Sequence, residues 1–212
     1  MTDDRAAALA FIGADSRMEA RLDTYVDLLA RWRKATNLIS ESAFSQVWAR
    51  HIADSAQLLA FAPLARRWVD LGSGAGFPGM VIAIQLAEIQ GAEVHCIESD
   101  QRKCAFLRAV ARATAAPVHI HAARIETLDP TMLKPVHAVT ARALAPLPGL
   151  LGLARPWLTR GAVGIFPRGR SEASLTEPFS EASEFRFESL PSKFDRNARI
   201  VRVAVADRDR SA

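Results

Sequence analysis

The feature that most constrains the fold is the stretch from Trp68 to Gly79, WVDLGSGAGFPG. An apolar run of strand length is followed there by glycines at alternate positions, Gly72, Gly74 and Gly76, and then by an apolar segment suited to a helix. Glycine permits positive φ and lets a ligand approach the backbone closely. In an open parallel sheet, the crevice beyond the carboxyl end of a strand is where small ligands bind. The stretch therefore predicts a strand, a ligand-binding turn and a helix.

The glycines of this turn fit two overlapping sequence motifs, and each motif implies a different ligand. Residues 74–79 match the dinucleotide pattern G-x-G-x-x-G, and Glu98 follows at roughly the 20-residue distance of a ribose-binding acid. Residues 70–76, which include Ser73, read D-x-G-x-G-x-G and equally match the loop of S-adenosylmethionine-dependent methyltransferases, where Asp70 would help to hold the cationic methionine moiety. A P-loop is not indicated, because no Gly-Lys-Ser/Thr follows. A plain structural corner is the remaining alternative, although it would not need three alternating glycines and an acid.

The composition is that of an ordinary globular chain of 212 residues, half of them hydrophobic. No apolar run approaches the ~20 residues of a membrane span. The N-terminus has acids before its first basic residue, unlike a secretory signal. We therefore expect a cytoplasmic protein. Cys96 and Cys104 are the only cysteines, with no second pair to complete a zinc site, so no metal is expected.

Charge is distributed unevenly along the chain, although the net value is only +4. Residues 68–100 contain five acids and no lysine or arginine, whereas residues 101–170 contain eleven basic residues against two acids. A basic region that follows a ligand-binding turn indicates a polyanionic partner, and nucleic acid is the obvious candidate. The alternative is that these arginines cover solvated helix faces.

Hydrophobic periodicity predicts an α/β protein with two helices before the first strand. Apolar residues from Met18 to Trp32 recur at three- and four-residue intervals, which is typical of an amphipathic helix. A second helix is predicted from near Ser42 to Leu59. A nucleotide-binding sheet does not need such helices, so we expect them to cover the site or contact substrate. Strands are predicted at 68–71, 94–98, 118–121, 136–141 and 162–166, helices at 80–86, 101–114 and 147–158, and a final hairpin at 185–190 and 200–205.

This order of elements is that of a class I methyltransferase (Rossmann-like) fold. That fold is a seven-stranded, mostly parallel sheet whose last pair includes one antiparallel strand. We expect an N-terminal helical extension over residues 1–66, an S-adenosylmethionine-binding methyltransferase domain over 67–206 and a short tail at 207–212.

Several side chains are placed by this order at one crevice. Glu98 ends the second strand, where a carboxylate can accept hydrogen bonds from both ribose hydroxyls of an adenosine-containing cofactor. After the third strand, Ile125 could pack on the adenine and Glu126 could read its edge, or the segment is an ordinary amphipathic turn. Arg142 follows the fourth strand and faces the same crevice.

The second predicted helix carries Arg50, His51 and Asp54 within little more than one turn. The ring nitrogens of His51 could meet the Asp54 carboxylate or a ligand. The alternative is a histidine whose hydrogen bonds are satisfied within the core.

Six motifs in order, from about Asn37 to Val205, make the chain resemble a known family. They are NLIS, WARHIADSAQL, VDLGSGAGFPGMVIAI, IESDQRKCAFLRAV, VTARALAPL and FPRGR. Together they are similar to the bacterial glucose-inhibited division protein B family, whose members place a methyl group on N7 of a guanine in small-subunit (16S) ribosomal RNA. The resemblance implies S-adenosyl-L-methionine as cofactor. It puts family cofactor contacts on Gly72, Phe77, Ile125, Glu126 and Arg142.

The residues expected to serve this function form two sets. The cofactor set is Asp70, Gly72, Ser73, Gly74, Gly76, Phe77, Glu98, Ile125, Glu126 and Arg142. Arg50, His51, Arg124 and Arg168 are expected to line the RNA path, with arginine at 168 where the family often carries lysine. Arginine can contact phosphate in bidentate geometry but does not move a proton.

The expected partner is small-subunit ribosomal RNA, in the assembled small subunit, with a monomeric enzyme and no membrane. No general base is required, because guanine N7 presents a lone pair and carries no proton. Two alternatives stay open from the sequence: an NAD-linked oxidoreductase, favoured by the other glycine register, and a non-catalytic RNA-binding module.

Overall fold

The computed structural model describes residues 2–169 and 184–206. The predicted tail at 207–212 and Arg170 of the FPRGR motif lie outside these ranges. No helix within them is long and apolar enough to cross a membrane.

The chain begins with a helix that the sequence did not predict, α1 (Thr2–Ile12). Its apolar residues are spread around the helix and not gathered on one face, so periodicity does not reveal it. Alanine nevertheless favours helix strongly, and Ala8 and Leu9 are buried in the core. Arg5 ties this helix to the following one through ion pairs of 2.5 and 2.6 Å with Glu19 and Asp23.

The two helices predicted for the extension have different outcomes. α2 (Ser16–Thr36) contains the predicted segment, and it ends at Asn37 in the left-handed conformation, φ 47°. The helix predicted from Ser42 to Leu59 is instead broken into short pieces. They are α3 (Glu41–Phe44), a π-helical segment (Trp48–Ala53), α4 (Asp54–Ala56) and a 3-10 segment (Gln57–Phe61).

The remaining elements alternate as predicted and form one seven-stranded sheet in the described residues. The strands are β1 (Arg67–Leu71), β2 (Glu93–Glu98), β3 (Val118–Ala122), β4 (Ala138–Ala141), β5 (Val163–Arg168), β6 (Phe185–Pro191) and β7 (Arg199–Val205). The helices are α5 (Gly79–Gln85), α6 (Gln101–Thr114) and α7 (Leu147–Leu158). The strand order is β3-β2-β1-β4-β5-β7-β6, and β7 runs antiparallel to both its neighbours. The predicted fold class is confirmed.

The order of the strands fixes where ligands can bind. β1 pairs in parallel with β2 on one side and with β4 on the other. The carboxyl ends of these three strands therefore open into one crevice, at the point where the strand order reverses. α2, α5 and α6 cover one face of the sheet and α7 covers the other. Because Leu22 of α2 shares a core cluster with Trp68 of β1, the extension is packed as part of the same core, and its division from the rest at residue 67 stays a prediction.

Candidate active site

The glycine turn between β1 and α5 has the backbone that its sequence predicts. Gly72, Gly74 and Gly76 have φ angles of +66°, +54° and +95°. At Gly76 the protein itself excludes a side chain, since a Cβ would lie 2.9 Å from both Met80 Cβ and Tyr25 Oη. At Gly74 a Cβ would meet only the Gly72 oxygen, at 3.9 Å, so the space beside Gly74 is open. Open space against a bare backbone is what a ligand-binding turn requires.

A tyrosine from the extension supports this turn from behind. Tyr25, in α2, is buried and donates its hydroxyl hydrogen to the Ala75 carbonyl at 2.6 Å. Burial raises the pKa of Tyr25 well above its usual value, so the hydroxyl keeps its proton and remains a donor. The sequence placed Tyr25 only on the apolar face of a helix. A polar tip on an otherwise apolar stripe is the one signal that could have pointed to this contact.

Glu98 lies against the turn, as the strand order requires. Its carboxylate oxygens accept hydrogen bonds from the backbone N–H of Gly74 at 2.8 Å and of Asp100 at 2.8 Å. A carboxylate offers about four lone-pair sites, so two bonds leave capacity for further donors such as ribose hydroxyls. Glu98 stays a prediction as a ribose ligand, and its position suits that role.

Two predicted cofactor residues of the turn face inward. Asp70 is fully buried, and its Oδ2 accepts a hydrogen bond from the Gly79 N–H at 3.2 Å. Ser73 is also buried, and its hydroxyl donates to the Asp70 carbonyl at 3.0 Å. Direct contact of Asp70 with methionine would require the turn to move. The structure instead gives both residues a bracing role beneath the turn.

Burial of Asp70 has a measurable consequence. Desolvation raises its pKa to about 7, against the bond from the Gly79 N–H, which favours the charged form. A carboxyl whose pKa is higher in the folded than in the unfolded state stabilises the fold at low pH and loses that contribution as pH rises to its folded pKa.

Asp70→Asn should therefore stabilise the protein at high pH. The amide keeps an oxygen for Gly79 and removes a buried charge, so its stability advantage over the wild type should grow from about pH 4 to about pH 7 and level off above, reaching at most ~4 kcal/mol. Denaturant unfolding at several pH values measures the difference in free energy of unfolding between the variant and the wild type. A difference that does not change with pH would contradict this assignment.

Arg142, at the end of β4, is the centre of a compact polar cluster. Its Nη2 donates to His51 Nδ1 and its Nη1 donates to the Arg50 carbonyl at 3.1 Å. Nη1 also lies 3.5 Å from Asp54 Oδ2. The predicted helix residues Arg50, His51 and Asp54 thus meet the predicted crevice residue in one place. Burial lowers the pKa of Arg142 and raises that of Asp54, and the ion pair opposes both shifts.

Phe77 joins this cluster to the glycine turn. Its ring stacks on His51 with centroids 4.8 Å apart and lies 5.3 Å from the ring of Tyr25. The Arg142 guanidinium is 5.8 Å from the Phe77 ring centre. Burial and the charges of Arg142 and Arg50 lower the pKa of His51 to about 3, so the imidazole is neutral at physiological pH.

The loop after β3 lies at the other side of the crevice. Its first residue, Ala123, donates its N–H to the Glu98 carbonyl at 3.1 Å, so the loop begins beside the end of β2. Ile125 and Glu126 form a 3-10 turn there, in which Ile125 is partly buried and Glu126 is exposed. Their contacts with adenine stay predictions.

A cleft of about 760 Å³ opens next to Arg142, and its lining combines charged side chains, mostly arginines, with small or apolar residues. Arg50, His51 and Arg168 line it, so three of the four predicted RNA-path residues converge. Arg168 is nearly buried and donates Nη1 to the Ala145 carbonyl at 3.1 Å. Arg124 is not on this cleft. It is exposed just after β3, which β2 and β1 separate from β4, and its contact with RNA stays a prediction.

Buried Gln57, which the sequence analysis did not single out, hydrogen-bonds to the loop on the far side of the cleft. Gln57 Nε2 donates to Asp54 Oδ1 at 2.7 Å and to Ser192 Oγ at 3.1 Å. Gln57 Oε1 accepts from the Lys193 N–H at 3.0 Å. Phe194 and other residues of the β6–β7 loop line the cleft. The network therefore links Asp54, beside Arg142, to that loop.

The basic residues of the predicted 101–170 region are divided among several places. Arg142 and Arg168 lie at the cleft. Arg155 pairs with Glu184 and Lys134 with Glu93. Arg102, Arg108 and Arg112 are exposed on α6. Some of these residues therefore lie on solvated helix faces, and contact of the others with a polyanion stays a prediction. Within the described ranges, no group of three acidic, histidine or cysteine side chains is arranged to hold a metal ion.

Comparisons with known proteins show the family to which the chain is related. The sequence model described as rRNA small subunit methyltransferase G (GidB) matches residues 18–193. The ribosomal RNA small subunit methyltransferase G of Nitrobacter winogradskyi is 51% identical over 175 residues, 82% of this chain but only 63% of that protein. The protein of the same name from Methylorubrum extorquens is 47% identical over 208 residues, 98% of both chains.

A solved structure of lower identity shares the fold. The O-methyltransferase TomG from Streptomyces achromogenes, in complex with SAM, superposes with a TM-score of 0.58 at 16% identity, over 91% of this chain and 90% of that one. At this identity the likeness shows the fold alone. The family comparisons confirm the predicted resemblance, and the chain therefore belongs to the rRNA small subunit methyltransferase G family.

Proposed function

We propose that the protein transfers the methyl group of S-adenosylmethionine to N7 of a guanine in 16S ribosomal RNA. The observation that carries the proposal is the cluster of Arg142, His51 and Phe77. It joins the glycine turn to a basic cleft of about 760 Å³, so a cofactor and a large anionic substrate could meet there. Membership of an S-adenosylmethionine-dependent methyltransferase family argues against the NAD-linked oxidoreductase.

The residues present fit the cofactor. The open space beside Gly74 and the remaining lone pairs of Glu98 suit the adenosine part, and Ile125 and Glu126 follow at the side of the crevice. When bound, S-adenosylmethionine supplies a methyl group on a sulfonium cation. Asp70 and Ser73 keep the turn in shape from below, and Tyr25 does so from behind.

The chain's own residues have a positioning task. Guanine N7 has an in-plane lone pair and no proton, so no side chain needs to act as a base. Holding two reactants in line contributes up to about 7–11 kcal/mol in favourable cases. We propose that Phe77 and Arg142 offer the planes that orient the base. A base within folded RNA would first be turned out of its stack, as is usual in sequence-specific RNA recognition.

A methyl-transfer assay tests the function directly. Methyl-labelled S-adenosylmethionine is offered with naked 16S RNA, small subunits or whole ribosomes, and the labelled nucleotide is mapped. We propose the assembled small subunit as substrate, and label at N7 of one guanine is the expected result. RNA binding without transfer to any of the three would support the non-catalytic alternative and overturn the proposal. We also propose a monomeric cytoplasmic enzyme, and light scattering in solution tests the monomer.

Arg50 should contribute through the charge of the RNA backbone. Its side chain is exposed at the cleft and makes no ion pair with a described residue. Arg50→Gln should reduce the slope of log kcat/KM against log salt by about one, since one phosphate contact is lost. The affinity of the Arg50→Gln variant for S-adenosylhomocysteine should equal that of the wild type.

Arg112→Gln is the matched control for this charge effect. Arg112 is an exposed cation on α6, outside the lining of the cleft. Its removal lowers the net charge equally but should leave the salt slope as in the wild type. Equal slopes for both variants would show that Arg50 acts only through net charge.

A further inference from the structure

The hydrogen-bonding state of His51 is fixed by its neighbours. An arginine side chain can only donate, so the contact from Arg142 Nη2 makes Nδ1 of His51 the acceptor. The proton of the neutral ring then lies on Nε2. Because burial and the charges of Arg142 and Arg50 lower the pKa to about 3, the ring does not gain a second proton at physiological pH.

The Nε2–H of His51 is available to a ligand in the cleft. His51 lines the cleft and is only partly buried. Within the described part of the chain, Nε2 has no hydrogen-bond partner and is not enclosed. The ring plane is held by stacking on Phe77 at 4.8 Å. The His51 side chain therefore offers the cleft an oriented, uncharged N–H donor beside Arg142 and Phe77.

We propose that His51 donates this hydrogen bond to O6 of the target guanine and so selects guanine over adenine. The inference rests on the proposed function, in which guanine N7 accepts the methyl group. O6 lies beside N7 on the same edge of the base, where adenine carries an amino donor in place of an acceptor. With adenine in the site, the Nε2–H of His51 would face the amino group of the base, and both groups are donors. A site built to hydrogen-bond a substrate group discriminates strongly against analogues that lack it.

A neutral donor suits this position better than a charged one. An imidazolium would add positive charge next to Arg142, and the cofactor carries a sulfonium cation. The short distance between the cluster and the glycine turn, bridged by Phe77, would make that repulsion costly. Arg142 thus orients His51 and also helps to keep it uncharged.

The test uses small subunits reconstituted on RNA with guanine or 2-aminopurine at the mapped nucleotide. 2-Aminopurine keeps N7 and lacks O6. The readout is the ratio of kcat/KM for the two RNAs, compared between wild type and variant, so that any intrinsic difference in N7 reactivity cancels. In His51→Asn the amide oxygen can still accept from Arg142 but the side chain does not reach the Nε2 position. The preference for guanine should fall about 3- to 10-fold.

His51→Gln provides the rescue, because its longer amide can place an N–H near the Nε2 position. It should recover most of the guanine preference. Arg50→Gln should lower activity on both RNAs and leave the ratio unchanged. Titration with S-adenosylhomocysteine checks that each variant keeps its cofactor site.

The outcomes separate this inference from the function on which it rests. An unchanged guanine preference in His51→Asn, with activity lowered equally on both RNAs, would show a purely structural role and overturn the inference alone. If His51→Asn is inactive, His51→Gln decides: recovered preference supports the assignment and its absence refutes it. Failure of the wild type to methylate the guanine RNA would remove the proposed function and the inference together.

Discussion

Arg142→Gln is expected to lower kcat/KM for RNA methylation by about 10²- to 10³-fold. The change would leave the partly buried Asp54 carboxylate without its cation, which destabilises the polar cluster. The same change removes the donor to His51 Nδ1 and the cation beside Phe77. Single-turnover methyl transfer with saturating cofactor measures the effect, and calorimetry with S-adenosylhomocysteine shows how much of it is cofactor binding.

The double variant Arg142→Gln/Asp54→Asn is the matched control. Neutralising Asp54 removes the uncompensated charge, so the stability lost in Arg142→Gln should return in part. Activity should stay low, because the orientation of His51 still lacks its donor. If Arg142→Gln retained kcat/KM within about threefold of the wild type, the cluster would not be part of the active site.

Gly76→Ala should have the largest effect on stability. A Cβ would lie 2.9 Å from Met80 Cβ and Tyr25 Oη, and 3.1 Å from Leu107 Cδ2, on a backbone with φ of +95°. Positive φ costs a non-glycine residue about 1–2 kcal/mol and overpacking a core about 1–3 kcal/mol. Together these lower the melting temperature by roughly 5–15 °C in a domain of this size. Calorimetry measures the shift, and loss of affinity for S-adenosylhomocysteine should accompany it.

Gly152→Ala is the matched control, because it adds the same methyl group at a position with no close neighbours. Gly152 lies within α7, and a Cβ there would meet nothing within 4 Å. Alanine favours a helix over glycine by about 1 kcal/mol, so this variant should be slightly more stable than the wild type. Equal destabilisation by both substitutions would mean that the packing around Gly76 does not cause the effect.

The parts of the site that sequence could predict are those encoded locally. The turn, Glu98 and Arg142 each follow a strand, and parallel strands bring their carboxyl ends to one edge. Periodicity predicts these strands because apolar runs of strand length are bounded by glycine or polar residues. The sequence did not predict that Arg50 and His51 contact Arg142, since no local pattern relates the helical segment that carries them to β4.

The parts that sequence could not predict depend on distant contacts. Gln57 gains its role only when Ser192 and Lys193 reach it, and no local pattern indicates that pairing. The inward direction of Asp70 follows from the start of α5 packing against it, since a Cβ at Gly79 would lie only 2.6 Å from Asp70 Oδ2. The apolar residues from Trp48 to Ala53 have the spacing of an ordinary helix, so the hydrophobic pattern does not indicate that this segment is π-helical.

The bonds of Gln57 also set the order in which the site can be completed. The turn and its supports come from residues 25 to 142, whereas Gln57 bonds Ser192 across 135 positions of the chain. Contacts between residues far apart in the chain form slowly, because closing the long loop between them has an entropic cost. On the ribosome, the RNA cleft lacks its far side until the loop that carries Ser192 and Lys193 has been synthesised. We therefore expect the RNA cleft to be complete only when that loop has reached Gln57 in the N-terminal part of the chain.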